Sequence, residues 1–392
     1  MSLRYIRIAA LIIAAVLAAQ AAAEVTLPAG PPQILDHIPR AQIFTSHMTR
    51  QTALPDVGFV WGAAEPLKLR GVTDSYYYPN QRDLDRKHTA DWFKANHPSW
   101  MTYTCDRTTP SYGYVYSWGA YAPLDTTNPD VREYILKTYI EPALQRGYQA
   151  IAFDNVTVIN NDKRCGIWRD GTWVQLFTGE SRDPAHTQAK IDYLRWMADR
   201  IHALGGLVSF NASVDPAQLE ATRELLDLAD IWVDEGGWTD ICARRVHSKL
   251  WRIMHDLIGA RGDKAFVAIN YTCAPKSIAM SREETSWTVA SFLVSRNSRS
   301  YMAVLGRGET GRWVENPNLD PPVGAPAARA QSKGDLFWRA YQKGYAVVNI
   351  SAKTTATFRV PPGSWTDQWG NPVGSHVELG PRSGLVLLRV SG

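Results

Sequence analysis

The sequence predicts an α/β protein, a (β/α)8 TIM barrel with a small C-terminal antiparallel β domain. Three observations point there. Short apolar runs alternate with longer helical stretches from about residue 55, eight such runs fit in about 260 residues, and the texture changes after residue 306. Apolar strands alternating with helices call for a parallel sheet covered on both faces. Eight units of that size match a closed barrel. A doubly wound open sheet is the alternative arrangement.

The first residues stand apart from the fold. MSLRYIR is a short basic start, the apolar run IAALIIAAVLAAQAAA follows, and Glu24 ends it. That is the order of a secretory signal, with Ala21 and Ala23 at the expected cut. The run is too short to span a bilayer comfortably. Residues 1–23 are therefore expected to be removed, leaving a secreted or periplasmic protein with no stable membrane insertion. Their loss takes away Arg4 and Arg7, so the formal charge falls from +4 to +2. Nucleic-acid binding is not expected of a chain without a clustered basic footprint.

The strand candidates, in order, are DVGFVWG (56–62), LRGVTDSYYY (69–78), SWMTYTC (99–105), QAIAFDN (149–155), GLVSFNA (206–212), DIWVDE (230–235), AFVAINY (265–271) and SYMAVLG (300–306). Helices lie between them. NPDVREYILKTYIEPALQRG (128–147) has Asn128 as N-cap, Pro129 at the first helical position and Gly147 as its stop, with Pro142 predicting a kink or break. DPAHTQAKIDYLRWMADRIHALGG (183–206) sets Ile191, Leu194, Met197 and Ile201 at helical spacing, and DPAQLEATRELLDLAD (215–230) repeats the scheme. The barrel domain is expected to end at residue 314. ENPNLDPPVGAPAARAQSKG (315–334) has the composition of a linker. Residues 335–392 alternate apolar runs with PPG and WGN turns, predicting a β-sandwich-like domain packed on the barrel, because so small a sheet is marginal alone.

In such a barrel the reacting groups sit on the C-terminal ends of the strands. Asp106 follows the third candidate, Asp154 and Asn155 end the fourth, Asn211 the fifth, Asp234 and Glu235 the sixth, and Asn270 the seventh. Alternation directs Ala152 with Asp154, Ser209 with Asn211, and Ala268 with Asn270 inward, and Ile151, Phe153, Val267 and Ile269 toward the helices. Two carboxylates across a cleft, with amides to bind hydroxyls, are the equipment of glycosidic bond hydrolysis. Asp154 is one candidate, and Asp234 or Glu235 the other. In VDEGGW, the Gly-Gly bend suits a loop that brings its backbone and Trp238 close to a ligand. Tyr76 and Tyr78, in YYYPNQRDLDR, are candidates for stacking on sugar rings. Any single strand-end acid can instead cap a helix or pair with an arginine; it is their convergence that favours a site.

Other chemistries find less support. GRGETG (306–311) follows a strand, but RWVENPNLDPP cannot open the helix that a dinucleotide site requires. HExxH, GxSxG and Walker patterns are missing, and the nine His lack metal-ligand spacing, so neither a metal nor a cofactor is expected. The four cysteines, an even count in an exported chain, predict two disulfides whose connectivity the count leaves open.

The ordered set PLDTTNPDVREYI, GYQAIAFDNV, ADIWVDEGG and VELGPRSGLVLL resembles a group of glycoside-hydrolase-like TIM barrels. These lie near the endo-α-1,4-polygalactosaminidases (glycoside hydrolase family 114) and, more distantly, the α-amylase superfamily. The resemblance covers roughly residues 55 to 392. It implies a catalytic Asp after strand four, which falls on Asp154, and a catalytic Glu after strand five or six, which falls on Glu235 rather than Asp234. In a retaining mechanism Asp154 is the nucleophile and Glu235 the acid/base. The expected substrate is a polysaccharide or oligosaccharide, with an amino-sugar-containing exopolysaccharide in view. Tyr76, Tyr78, Asp106, Asn155, Asn211, Asp234, Trp238 and Asn270 are the expected substrate contacts. The Trp-rich stretch CGIWRDGTWVQLFTG (165–179) matches no substrate site of the family. The alternative is a catalytically inactive carbohydrate-binding barrel, which needs an aromatic platform but not paired acids. Placed in the barrel frame, the cysteines fall on one face in two neighbouring pairs, predicting Cys105–Cys165 and Cys242–Cys273.

Overall fold

The computed structural model describes residues 35–43, 57–78, 88–113, 115, 120–240, 244–262, 264–306, 309 and 316–390. The expected signal segment and Cys242, with its expected bond to Cys273, lie outside them.

Eight parallel strands close into a barrel: β1 (Arg40–Ile43), β2 (Val57–Trp61), β3 (Thr73–Tyr78), β4 (Ala150–Val156), β5 (Leu207–Ala212), β6 (Ile231–Asp234), β7 (Ala265–Tyr271) and β8 (Ser300–Leu305). Each pairs with its neighbours in chain order, and β8 returns to β1 through Arg40 and Met302. The expected barrel is present, with a correction to its strands. SWMTYTC is not the third barrel strand. Thr102–Tyr103 pairs antiparallel with Gly166–Arg169, which pairs with Thr172–Gln175, in a small sheet outside the barrel. The missing strand is β1, whose four residues are too few to show a period. Because one strand is added and one removed before residue 150, QAIAFDN is still strand four.

The disulfide Cys105–Cys165 joins the segment after β3 to the Trp-rich segment after β4. That segment is a hairpin in which Trp168 and Trp173 stack edge-on across the strands, with ring centroids 5.6 Å apart.

The helices fill the outer layer. Asn128 caps Pro129–Ile135, accepting from the Asp130 N–H, and Gly147 ends the run in the left-handed region at φ 105°. The regular α-helix is interrupted just before Pro142. Leu136–Ile140 widens into a π turn in which the Glu141 N–H reaches back to Leu136 O, and Glu141–Arg146 then restarts with Pro142 in its first turn, where no N–H is needed. Asp183 caps Pro184–Ala203 as the sequence indicates. The next helix begins later than expected, at Leu219, because Asp215 accepts from the Ala217 N–H and holds a turn instead. Ser248–Ala260 and Arg282–Ser295 complete the layer.

After the barrel, the chain forms a six-stranded antiparallel sheet from β9 (Gln331–Lys333), β10 (Leu336–Ala340), β11 (Gly344–Asn349), β13 (Trp365–Asp367), β14 (Pro372–Val373) and β16 (Ser383–Arg389), in the order 9-10-11-16-13-14. A separate pair, β12 (Ala356–Arg359) and β15 (His376–Leu379), lies over its outer face through Leu336, Val347, Phe358, Trp365 and Leu387. The inner face, with Phe337, Ala346, Val348 and Val386, joins the main core against the helix Arg282–Ser295. That helix is buried at every position from Thr285 to Ser295. Gly384 lets the two elements meet: a Cβ there would stand 2.6 Å from Ser286 O.

Candidate active site

Inside the barrel, a compact cluster of Ala41, Ile43, Phe59, Trp61, Ala150, Ala152, Leu207, Ile231, Val233, Ala265, Val267, Ile269, Ala303 and Leu305 fixes which phase of each strand points inward. Continuing that period of two to the strand ends directs Tyr77, Asp154, Asn211, Glu235 and Tyr271 into the barrel mouth. These five side chains are linked. Asp154, only 5% exposed, accepts at Oδ2 from Tyr77 Oη (2.8 Å) and Asn155 Nδ2, and at Oδ1 from Asn211 Nδ2 (2.7 Å). The same Asn211 Nδ2 donates to Glu235 Oε2 at 2.8 Å, and Tyr271 Oη donates to Glu235 Oε1 at 2.7 Å.

One amide nitrogen thus bridges the two carboxylates. Its bonds of 2.7 and 2.8 Å, laid end to end, hold Asp154 Oδ1 and Glu235 Oε2 within about 5.5 Å of each other. Asp154 sits deep and Glu235 is exposed. Burial, followed by the charge of Glu235, pushes the Tyr271 hydroxyl above its ordinary range, so it remains a proton donor to that carboxylate.

The backbone at Asp154 is irregular. The β4–β5 register slips between Phe153 and Val156, and Asn155 takes φ 53°. A bulge of this kind re-aims a side chain at a barrel rim, and Asn tolerates the left-handed region better than most residues.

The remaining candidates are placed elsewhere. Asn155 is exposed at the mouth and touches Asp154. Asp234 points away from the barrel axis, its Oδ1 accepting from the N–H groups of Gly236 (3.2 Å) and Gly237 (2.8 Å), which closes the bend. Gly237 is required there: at φ 50°, a Cβ would lie 2.6 Å from Asn270 Oδ1. The bend carries Trp238 into the core, not to a ligand; fully buried, its ring packs on Trp251 at 5.4 Å. Asn270 faces the outer layer, where Oδ1 accepts from the Trp238 N–H and Nδ2 donates to Ala303 O. Val267 and Ile269 are correspondingly inside, opposite to the expected phase. Both phases of AFVAINY are apolar, and an amide at its end was no guide to direction.

Tyr78 lies in the core against Tyr139 and Phe153, and Tyr76 packs on Tyr148 with Arg146 over its ring. The tyrosine between them, Tyr77, is the one that reaches the site. Asp106 stands in the exposed turn beside the small sheet. There the N–H and hydroxyl of Thr109 and the N–H of Thr108 hold its carboxyl well below the usual carboxylate range. Tyr77 and Tyr271 are the site residues that sequence reasoning missed; alternation from Ser75 would have found Tyr77, whereas nothing in the doubly apolar AFVAINY marks the direction of Tyr271. Among the described residues no group of three or more His, Cys, Asp or Glu could hold a metal ion, and no helix is long and apolar enough to cross a membrane.

The profile of glycoside-hydrolase family GH114 matches residues 85–244, the stretch that contains Asp154, Asn211 and Glu235. The expected resemblance to that family is borne out over this stretch. No curated protein matches the chain. Among solved structures, the chain is similar to the GH31 dextranase of Flavobacterium johnsoniae, at 11% identity and a TM-score of 0.48 over 92% of this chain and 52% of that one. It is also similar to the noncanonic maltogenic α-amylase AmyB of Thermotoga neapolitana, at 10% identity and a TM-score of 0.42, covering 82% and 78%. The chain spans about half the length of the dextranase.

Proposed function

We propose that this protein is an exported glycoside hydrolase that cleaves a polysaccharide with Asp154 as nucleophile and Glu235 as acid/base, retaining the anomeric configuration. The observation that carries the reading is the single Asn211 amide bridging two carboxylates whose nearest bonded oxygens lie within about 5.5 Å. Retaining glycosidases place their carboxyl groups about 5–5.5 Å apart, whereas inverting ones leave about 6.5–9.5 Å for a water. Depth divides the roles. Asp154, at the strand end beneath three donors, is fixed for attack on an anomeric carbon. Glu235, exposed, can deliver a proton to the leaving oxygen and later accept one from water. Tyr77 and Tyr271 hold the carboxylates at the required angle.

The test compares wild type with Asp154→Asn and Glu235→Gln on bacterial polysaccharides, scoring new reducing ends and the anomer first released. The expected result is cleavage by wild type with retention, and a loss of at least about a thousandfold in both variants. Equal binding of one polymer by all three proteins, with no cleavage by any, would instead identify a carbohydrate-binding barrel. Export rests on the basic–apolar–small order of residues 1–23, and an N-terminal sequence of the protein recovered outside the cytoplasm tests it.

A further inference from the structure

The C-terminal sheet has a face that the barrel does not touch. Two strands, β12 and β15, cannot cover six, and at the β9–β10 edge they leave a groove between the two sheets. Alternation along β10 turns Phe337 and Arg339 toward the barrel and Trp338 outward, where it meets Phe358 of β12 at 6.0 Å. Tyr345 of β11 lies beside Phe358 at 6.1 Å. Trp338 and Tyr345 are each half-buried, so the groove has an aromatic floor open to solvent.

Its banks are cationic. Arg329 and Lys333 flank the edge strand β9 on one side, and Arg359 ends β12 on the other; all three are exposed. No acidic side chain lines the groove, and none of the three cations has an ion-pair or hydrogen-bond partner among the described residues. Some surface arginines elsewhere do have one, as Arg195 does with Glu224 and Arg252 with Asp335. Half-exposed aromatic faces suit the C–H faces of sugar rings, while unpaired guanidinium and ammonium groups on both banks suit carboxylate or sulfate substituents along a chain.

We infer that this groove is an ancillary binding site for an acidic polysaccharide. It is independent of the Asp154–Glu235 site, because the opposite face of the same sheet is the one packed on the helix Arg282–Ser295. It would hold a polymer outside the barrel mouth whether or not the barrel cuts that polymer.

The test uses the full mature chain and measures binding by titration calorimetry to polygalacturonate and to the same polymer fully methyl-esterified, which removes the charge and keeps the sugar. Alginate serves as a second acidic polymer. Binding to at least one acidic polymer, with none or far less to the ester, is expected. In the triple variant Arg329→Gln, Lys333→Gln and Arg359→Gln, dissociation constants should rise about tenfold, the effect of three exposed ion pairs. These side chains are solvent-facing, so the variant should fold, and an unchanged melting temperature checks this. Trp338→Ala should weaken binding to the acidic polymers as well. Absence of binding to both, or binding unchanged in the triple variant, overturns the site. Equal binding to polyaspartate or to phosphatidylglycerol vesicles overturns the saccharide assignment. Reducing-end release at the barrel is scored separately, so failure of either reading leaves the other standing.

Discussion

At the scale of single residues, Asn211 is the keystone of the candidate site. Its one amide nitrogen serves both carboxylates, so the separation between them depends on a side chain that itself does no proton transfer. Replacing it with Ala would leave two facing carboxylates without their shared donor, while the buried strand around it, Leu207–Ala212, remains apolar and packed. Asn211→Ala is expected to lower kcat by about a hundredfold, the scale of losing one preorganised donor, with little change in melting temperature. A kcat within twofold of wild type would show that the amide does not position the pair. Ser209 and Asn211 were readable as inward from alternation alone, whereas the inward phase of β7, and with it Tyr271, was not.

At the scale of elements, the helix Pro184–Ala203 couples stability to pH through its third residue. His186 is 5% exposed, its ring lies against Phe177 at 5.2 Å, and its Nδ1 has no hydrogen-bond partner among the described residues. Burial, with the charges of Lys190 and Arg164 adding to it, pushes the imidazole down to about 3, against an opposing pull from Asp183. In the unfolded chain it titrates near 6.5. Between those values the unfolded chain holds a proton that the folded one lacks, so folding is favoured as pH rises through the window. This contribution is full above about 6.5 and shrinks as pH falls toward 3, with a loss of about 3 kcal/mol by pH 4. Urea unfolding of wild type and His186→Gln at pH 7 and pH 4 checks it. Wild type should lose more stability than the variant by about that amount; parallel losses would count against the assignment. The capped start of this helix was visible in the sequence as DPAH. The cost of burying its His was not, because it arises from side chains brought in by the segment after β4.

At the scale of the molecule, barrel and C-terminal sheet share one core. The helix Arg282–Ser295 is covered on the barrel side and again on the sheet side, Tyr341 Oη donates to Leu293 O at 2.6 Å, and Arg339 Nη1 donates to Arg296 O at 2.7 Å. A chain ending at residue 330 would expose the face of that helix that meets the sheet, at Ser286, Ala290 and Leu293, all buried in the intact protein. Such a patch drives association. The truncated protein is therefore expected to elute as aggregate in size-exclusion chromatography, and a monodisperse, folded barrel would show that the sheet is dispensable.

The alternation of apolar strands with capped helices called for a parallel sheet covered on both faces, because burial on both faces imposes that pattern wherever it occurs, and the count of eight units favoured a barrel over an open sheet and located its fourth strand. It also placed Asp154, Asn211 and Glu235 at strand ends; the Cys105–Cys165 bond was expected with SWMTYTC as a barrel strand, and it forms although that segment lies outside the barrel, because Cys105 still follows β3 and Cys165 β4. Tertiary structure alone decided the rest. The short β1 has no period to read, so it is defined by its pairing with β2 and β8. Direction was undetermined wherever both phases of a strand were apolar: Asn270 and Trp238 turn into the outer layer, and Asp234 into its own loop, because backbone N–H and C=O groups there need partners. Tyr77, not Tyr76 or Tyr78, faces Asp154 because a side chain's neighbour across a barrel is set by closure and register, neither of which is a local property of the chain.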